Sequence, residues 1–303
     1  MTSSIATEEE ILRSGFVGII GRPNVGKSTL LNRVLGQKIS ITSNKPQTTR
    51  NRILGICNRP GEQILFLDTP GIHRAHGPLH RYMVEQALST CGGVDLVLYL
   101  VEAPLGPLRG ADEVLERVAA CGRPLFLVIN KIDQVPRPRL LEIIESYRRH
   151  DFAETVPVSA LTGEGVDGLL NTIGRYLPEG PRYYPADQLT DLPERFIVAE
   201  FIREKVMRRT REEIPYGCAV AVETFTEKPE QNLVVIQAVI HVEREAHKRI
   251  VIGNKGQMLR TIGSEARRSI EALLGTRVFL ELFVRVQKDW TRSERLVRDL
   301  GYE

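Results

Sequence analysis

The chain has 303 residues, of which 42% are hydrophobic and 26% charged, with a formal net charge of +3. That length suits about two domains with separate cores, and the composition excludes a disordered or low-complexity chain. No apolar run approaches the roughly 18 residues of a membrane span, and Met1 to Leu12 is polar and acidic rather than a signal peptide, so a cytoplasmic protein is expected.

Cys57, Cys91, Cys121 and Cys218 form no close pair, so reduced, structural thiols are expected. Both halves of the chain are close to neutral, so any attraction for nucleic acid has to be local.

From Ser14 to Leu177, short apolar runs alternate with apolar residues at helical spacing. Strands are predicted near Phe16–Gly21, Ile53–Cys57, Ile64–Asp68, Leu96–Val101, Leu125–Asn130 and Thr155–Ser159. Helices are predicted near Lys27–Leu35, Leu79–Ser89, Ala111–Ala120, Arg139–Arg149 and Val166–Leu177. The alternation specifies an α/β domain, a mostly parallel sheet with helices on both faces, whose ligands bind at the carboxyl ends of the strands.

Leu177 to Pro185 carries three prolines that stop the last helix, because proline lacks the N–H and fixes φ. The chain therefore divides into an extension (1–13), a first domain (14–180), a linker (181–192), a second domain (193–290) and a tail (291–303). The second domain reads as helix (Pro193–Arg209), strands (Gly217–Thr226 and Leu233–Val242), helix (Ala246–Ile252), a Gly-Asn-Lys-Gly turn, helix (Gln257–Leu274) and strand (Arg277–Val286). It is a smaller α+β unit.

Gly21-Arg-Pro-Asn-Val-Gly-Lys-Ser28 fits Gly-x4-Gly-Lys-Ser/Thr and lies between an apolar strand and a helix, the context of a phosphate-binding P-loop. The loop Gly21, Arg22, Pro23, Asn24, Val25 and Gly26 would wrap closely around phosphate oxygens, every residue but Pro23 having a backbone N–H to offer, with Thr29 in the opening helical turn. Lys27 would reach the β- and γ-phosphates and Ser28 would ligate Mg2+. Asp68-Thr69-Pro70-Gly71 ends a strand. Asp68 can hold Mg2+ there, and Gly71 N–H can approach a γ-phosphate. The polar stretch from Lys38 to Arg50 has no periodicity and carries Thr42, Thr48 and Thr49, as in a loop ordered by γ-phosphate and Mg2+.

Asn130-Lys131-Ile-Asp133 follows the strand Leu125–Ile129. Asp133 would accept from guanine N1–H and N2–H2, whereas adenine offers neither donor, so ATP is rejected. Ser159-Ala160, with Leu161 following, would bring a backbone N–H to guanine O6.

In this order these motifs resemble the translation-factor-like GTPases, and within them the Era family of bacterial ribosome-assembly GTPases, over nearly all of Gly15 to Gln287. Pro46-Gln-Thr-Thr-Arg50 and Asp68-Thr-Pro-Gly-Ile72-His73 match the family's switch segments. The resemblance implies a GTP/GDP switch with Lys27, Thr49 and Gly71 as catalytic groups and Ser28, Thr49 and Asp68 around Mg2+. It also implies that Asn24 helps to hold a monovalent cation, K+. Ile72 stands where Ras-like enzymes use a water-orienting glutamine, so a slow intrinsic rate is expected. The segment Arg74 to Pro78 departs from the family.

Gly253-Asn254-Lys255-Gly256 joins two predicted helices and carries a lysine, as in the Gly-x-x-Gly loop of a KH domain. From His247 to Arg268, six basic residues face one acid: Lys248, Arg249, Lys255, Arg260, Arg267 and Arg268 against Glu265. The element order resembles the type II KH arrangement, and Ile250 to Gly256 matches the Era motif. That implies single-stranded RNA near the 3′ end of 16S rRNA on the 30S subunit precursor, read beside Ile252 and Ile262. It further implies a monomer with peripheral contact at the inner face of the cell membrane. Trp290 reads as a packing residue. Arg203, Lys205, Arg208, Arg209 and Arg211 suit either phosphate contacts or the other domain.

Overall fold

A computed structural model describes residues 12–72, 77–105 and 111–302. Arg74 to His76, part of the segment that departs from the family, lie outside the described residues, as does most of the 1–13 extension.

The first half is a six-stranded sheet in the order β2-β3-β1-β4-β5-β6. Its strands are β1 (Arg13–Gly21), β2 (Ile53–Arg59), β3 (Glu62–Asp68), β4 (Leu96–Glu102), β5 (Leu125–Asn130) and β6 (Glu154–Pro157). Only β2 runs antiparallel; every other pair is parallel. The near-continuous apolar runs of β1, β4 and β5 follow from burial on both faces. One face packs against α1 (Lys27–Leu35) and α5 (Val166–Tyr176), the other against α2 (Pro78–Gly92), α3 (Ala111–Ala119) and α4 (Arg137–Ser146).

β6 stops at Pro157, two residues before the predicted end. Val158 N–H still donates to Ile129 O of β5 at 2.8 Å, but Ser159 N–H donates to Glu164 O at 2.8 Å, closing a turn rather than extending the ladder. Residues 181–192 run along the free edge of β2. Ile56 N–H donates to Leu189 O at 2.8 Å and Thr190 Oγ1 to Leu54 O at 2.6 Å.

The second half is a three-stranded sheet, β7 (Ala219–Lys228), β8 (Leu233–Val242) and β9 (Arg277–Val286), antiparallel then parallel. It packs on α6 (Glu194–Arg209), α7 (Glu245–Ile252) and α8 (Gln257–Leu274) through a core that includes Ile197, Phe201, Ile236 and Ile270. The tail forms a further helix, α9 (Glu294–Asp299), capped by the Ser293 hydroxyl. With Trp290 and Tyr302 it packs against Leu79 and Met83 of α2. Trp290 is fully buried and donates to Gly217 O at 2.9 Å, the packing role expected of it.

Candidate nucleotide and RNA sites

The carboxyl ends of β1, β3 and β5 converge on a cleft of about 900 Å³. β1 ends at Gly21, where a Cβ would stand 2.5 Å from Leu100 O, so only glycine lets the chain turn beside β4. Gly26 has φ +101°, and a Cβ there would meet Asn130 Nδ2 at 2.1 Å. It opens α1, whose first backbone N–H groups face the loop. Lys27 is buried, with Nζ donating to Gly21 O at 3.2 Å and Arg22 O at 2.9 Å. Burial lowers its pKa to about 8, opposed by the nearby Asp68 carboxylate.

Ser28 Oγ donates to Asp68 Oδ2 at 2.6 Å and lies 2.8 Å from Thr49 Oγ1. Ser40, a residue not anticipated here, donates to the same Asp68 oxygen at 3.1 Å. Asp68 is fully buried, which raises its pKa against the pull of Lys27, and its Oδ1 has no hydrogen-bond partner. A partnerless buried carboxylate oxygen beside two hydroxyls is a hard-oxygen donor set that fits Mg2+. Thr48 turns away, donating to Lys45 O at 2.8 Å. Asn24 Nδ2 donates to Asn44 O at 2.8 Å, tying the P-loop to the switch segment.

Thr69 is buried and donates to Ile19 O at 2.8 Å. Pro70 follows, and then Gly71, where a Cβ would come within 2.6 Å of Pro23 N. Ile72 donates its N–H to Gly21 O at 3.2 Å and packs its side chain with Ile20, Leu54 and Leu65, so it brings no polar atom to the cleft.

Asn130 bridges the base-binding segments: its Nδ2 donates to Val25 O at 2.7 Å and its Oδ1 accepts from Ala160 N at 2.9 Å. The Ala160 N–H expected toward guanine O6 is therefore engaged by Asn130 here, and an O6 contact would share or exchange that bond. Lys131, with φ +63°, pairs with Glu102 along the cleft wall, and the exposed Leu161 lines its rim. Ser159 Oγ donates to Asp133 Oδ1 at 2.6 Å, orienting that carboxylate.

Gly253, Lys255 and Gly256 all have positive φ, of 73°, 47° and 76°, forming the tight turn between α7 and α8. A Cβ on Gly253 would meet Met258 Cβ at 2.6 Å. Asn254, Lys255, Arg249 and Arg260 are exposed around this turn, and Lys248 and Ile252 are half-buried. A groove of about 470 Å³ runs from Gly256 between α8 and β9, lined by Leu259, Arg260, Gly263, Arg267, Phe279 and Leu282. Ile262, expected in the groove, is instead fully buried in the core, because its position on α8 faces the sheet. Phe279, 53% exposed, is an aromatic on the groove that the site motifs do not single out, and Phe283, 51% exposed, follows it on the same face of β9, as the alternation along that strand requires.

Of the basic residues of α6, Arg203 and Arg208 reach the first half, while Lys205 and Arg209 pair within the second. Lys38 pairs with Glu204 at 2.6 Å, Thr42 N–H donates to Glu204 Oε1 at 3.0 Å, and Arg208 donates to Thr42 O at 3.0 Å. Arg203 donates to Thr48 O, and Lys45 to Met207 O and Thr210 O. Ile41 is fully buried with Ile197 and Phe201. Lys205 pairs with Glu204 at 2.7 Å, and Arg209 with Glu265. The segment from Lys38 to Arg50 thus lies against the second half along its length, which no local pattern signals.

Among known proteins, a family model described as "50S ribosome-binding GTPase" matches residues 16–131 and a KH-domain model matches residues 213–291. GTPase Era of Geobacter metallireducens is 59% identical, covering 96% of this chain and 98% of that one. GTPase Era of Geotalea uraniireducens is 58% identical over 97% and 99%. A crystal structure of an Aquifex aeolicus Era variant bound to GDP and aluminium fluoride superposes with a TM-score of 0.93 at 44% identity, covering 96% of this chain and 99% of that one. A structure of Era with MgGDPNP and nucleotides 1506–1542 of 16S ribosomal RNA matches with the same TM-score, identity and coverage. With a P-loop cleft in one half, a Gly-x-x-Gly groove in the other and relatives matched from end to end, the chain belongs to the Era family of GTPases.

Proposed function

We propose that the chain binds GTP with Mg2+, hydrolyses it to GDP and phosphate, and binds 16S rRNA near its 3′ end during assembly of the small ribosomal subunit. The observation that carries this reading is a cleft lined by Lys27, Ser28, Thr49 and Lys131, with a partnerless Asp68 oxygen behind Ser28 and with Asn130, bonded to the P-loop at Val25 O, followed by the Asp133–Ser159 pair.

In this reading Lys27 exchanges its carbonyl partners for the β- and γ-phosphates. Ser28, Thr49 and Asp68 hold Mg2+, which when bound neutralises charge on the phosphate oxygens. Asp133 accepts from the guanine N1–H and N2–H2, and Gly71 N–H faces the γ-phosphate. Ile72 has no atom that orients water, so intrinsic hydrolysis is slow and rests on Lys27, backbone donors and a K+ ion held by Asn24. Residues 14–180 act as the GTPase unit and 193–290 as the RNA-binding unit. RNA phosphates follow Gly253 to Gly256, with Lys248, Arg249, Lys255 and Arg260 supplying charge and the α8–β9 groove receiving bases. Action is in the cytoplasm, with membrane contact at most peripheral; no helix among the described residues is long and apolar enough to cross a membrane.

The test is direct. Fluorescent GDP and GTP analogues should bind and be displaced by guanine but not adenine nucleotides. RNA carrying the 3′-terminal sequence of 16S rRNA should bind more tightly with a non-hydrolysable GTP analogue than with GDP. Equal displacement by ATP, or equal RNA affinity in both states, refutes the proposal.

A further inference from the structure

Thr49 and Arg50 are consecutive, yet their side chains serve opposite sides of the switch segment. Thr49 Oγ1 lies 2.8 Å from Ser28 Oγ. Arg50 is buried in the second half of the chain, with Nη1 donating to Cys218 O at 2.7 Å and Tyr302 Oη at 3.1 Å, and Nη2 to Tyr216 O at 2.7 Å. Its guanidinium carbon lies 5.7 Å from the Trp290 ring centre and 5.6 Å from that of Tyr302, and the two rings stack on each other. Three of these five contact points, Trp290, the Tyr302 ring and its hydroxyl, belong to the end of the chain rather than to either ligand-binding surface.

We propose that Arg50 is a positioning residue for Thr49, and that Trp290 and Tyr302 form the socket that holds it. The inference rests on the GTPase reading above and names the part that links the metal-binding threonine to the carboxy-terminal segment. One peptide unit separates the two side chains, so Thr49 cannot retreat from Ser28 by several ångströms while Arg50 keeps its carbonyl partners. Leaving the socket breaks buried, charge-assisted hydrogen bonds and two cation–π contacts. The seated arginine therefore favours the arrangement in which Thr49 faces Ser28 and Asp68. By thermodynamic reciprocity, a ligand that needs Thr49 there must favour the seated arginine. GDP binding, which does not call on Thr49, is indifferent to it.

Trp290 is the only tryptophan in the chain, so the socket has its own reporter. The experiment uses the full-length protein, Mg2+, GDP and a non-hydrolysable GTP analogue. In the parent protein, Trp290 emission should differ between the two nucleotides. Arg50→Lys keeps the charge but loses the planar fork, and Tyr302→Phe removes one acceptor while keeping the stack. Both should lower affinity for the GTP analogue, the lysine variant by about tenfold as for a typical coupling between sites, while GDP affinity stays within about twofold. The nucleotide-dependent emission change should shrink in parallel. Should the lysine variant unfold, the parent emission difference and the phenylalanine variant still decide the matter. A protein that binds both nucleotides with identical Trp290 emission, or variants that lose GDP and GTP-analogue affinity equally, overturns the inference and leaves the GTPase reading intact. Failure of the parent to bind either nucleotide overturns that reading instead.

Discussion

Replacing Asn130 with alanine isolates the residue that joins three loops of the nucleotide cleft. Asn130 is 2% exposed, and its amide makes one bond to the P-loop at Val25 O (2.7 Å) and one to the Ala160 N–H (2.9 Å). Each bond contributes about 1 kcal/mol net, and a buried partner left unsatisfied adds roughly 1 kcal/mol or more. Water from the adjoining cleft can meet part of that loss, so the total is about 2 to 4 kcal/mol. Because the P-loop and the Ser159–Leu161 turn then no longer share a strut, most of this falls on the liganded state, a roughly 30- to 900-fold loss of affinity. GDP and GTP should weaken equally, since both bring the same base, and the preference for guanine over xanthine should be unchanged because Asp133 is intact. Titration with a fluorescent GDP analogue, alongside a thermal melt, gives both numbers. GDP affinity within threefold of the parent at an unchanged melting temperature would refute the strut and the reasoning from buried bonds.

Asp133→Asn should move preference from guanine toward xanthine nucleotides, measured by competition; an unchanged order removes the carboxylate from base recognition. Lys255→Asp should weaken binding of 16S 3′-end RNA in gel shifts while leaving GDP affinity alone, and parent RNA affinity should fall as salt rises because phosphates are being neutralised. Asn24→Ala should abolish any stimulation of hydrolysis by K+ over Na+; a K+ effect that survives places the cation elsewhere. Burial pushes the Glu204 carboxyl up, but hydrogen bonds from Lys205, Lys38 and the Thr42 N–H outweigh it and hold the group below the ordinary carboxylate range. A depressed folded value contributes stability that is full above the unfolded carboxylate pKa and lost as pH falls through the folded one. Thermal midpoints should therefore hold from pH 7 to 5 and drop in stronger acid, and Glu204→Gln should flatten that acid limb.

Periodicity located the regular elements because burial on both faces of β1, β4 and β5 leaves unbroken apolar runs and because α1 and α8 carry one apolar stripe each. The nucleotide cleft was readable for a related reason: Gly21, Gly26 and Gly71 sit where a Cβ would strike backbone or Asn130, so geometry is written into residue type. Long-range partners leave no such mark. Ile262 and Leu259 have the same apolar character on α8, yet one is fully buried in the core and the other, at the core's margin, lines the groove. Likewise α9 is six residues long and mostly charged, and Trp290, Val297 and Tyr302 gain their meaning from Leu79 and Met83 some two hundred positions earlier. The positive charges of α6 suited either phosphates or the other domain, and the choice rests on acceptors distant in sequence: Arg208 reaches Thr42 O and Arg203 reaches Thr48 O across the interface.

The path of residues 181–192 along β2 has a bearing on how the sheet's outer margin is protected. β2 is the outermost strand of its sheet, and a bare outer strand is a template on which a second molecule can add its own. Here the main chain of Leu189 and the hydroxyl of Thr190 occupy that margin, and Gln63 fastens the Tyr183 and Tyr184 amides at 2.7 and 3.1 Å. The connector therefore works as a selvedge. While it is fastened, any pivot between the halves must lie beyond Thr190, and a fragment cut before Tyr183 would carry an open strand and stick to itself.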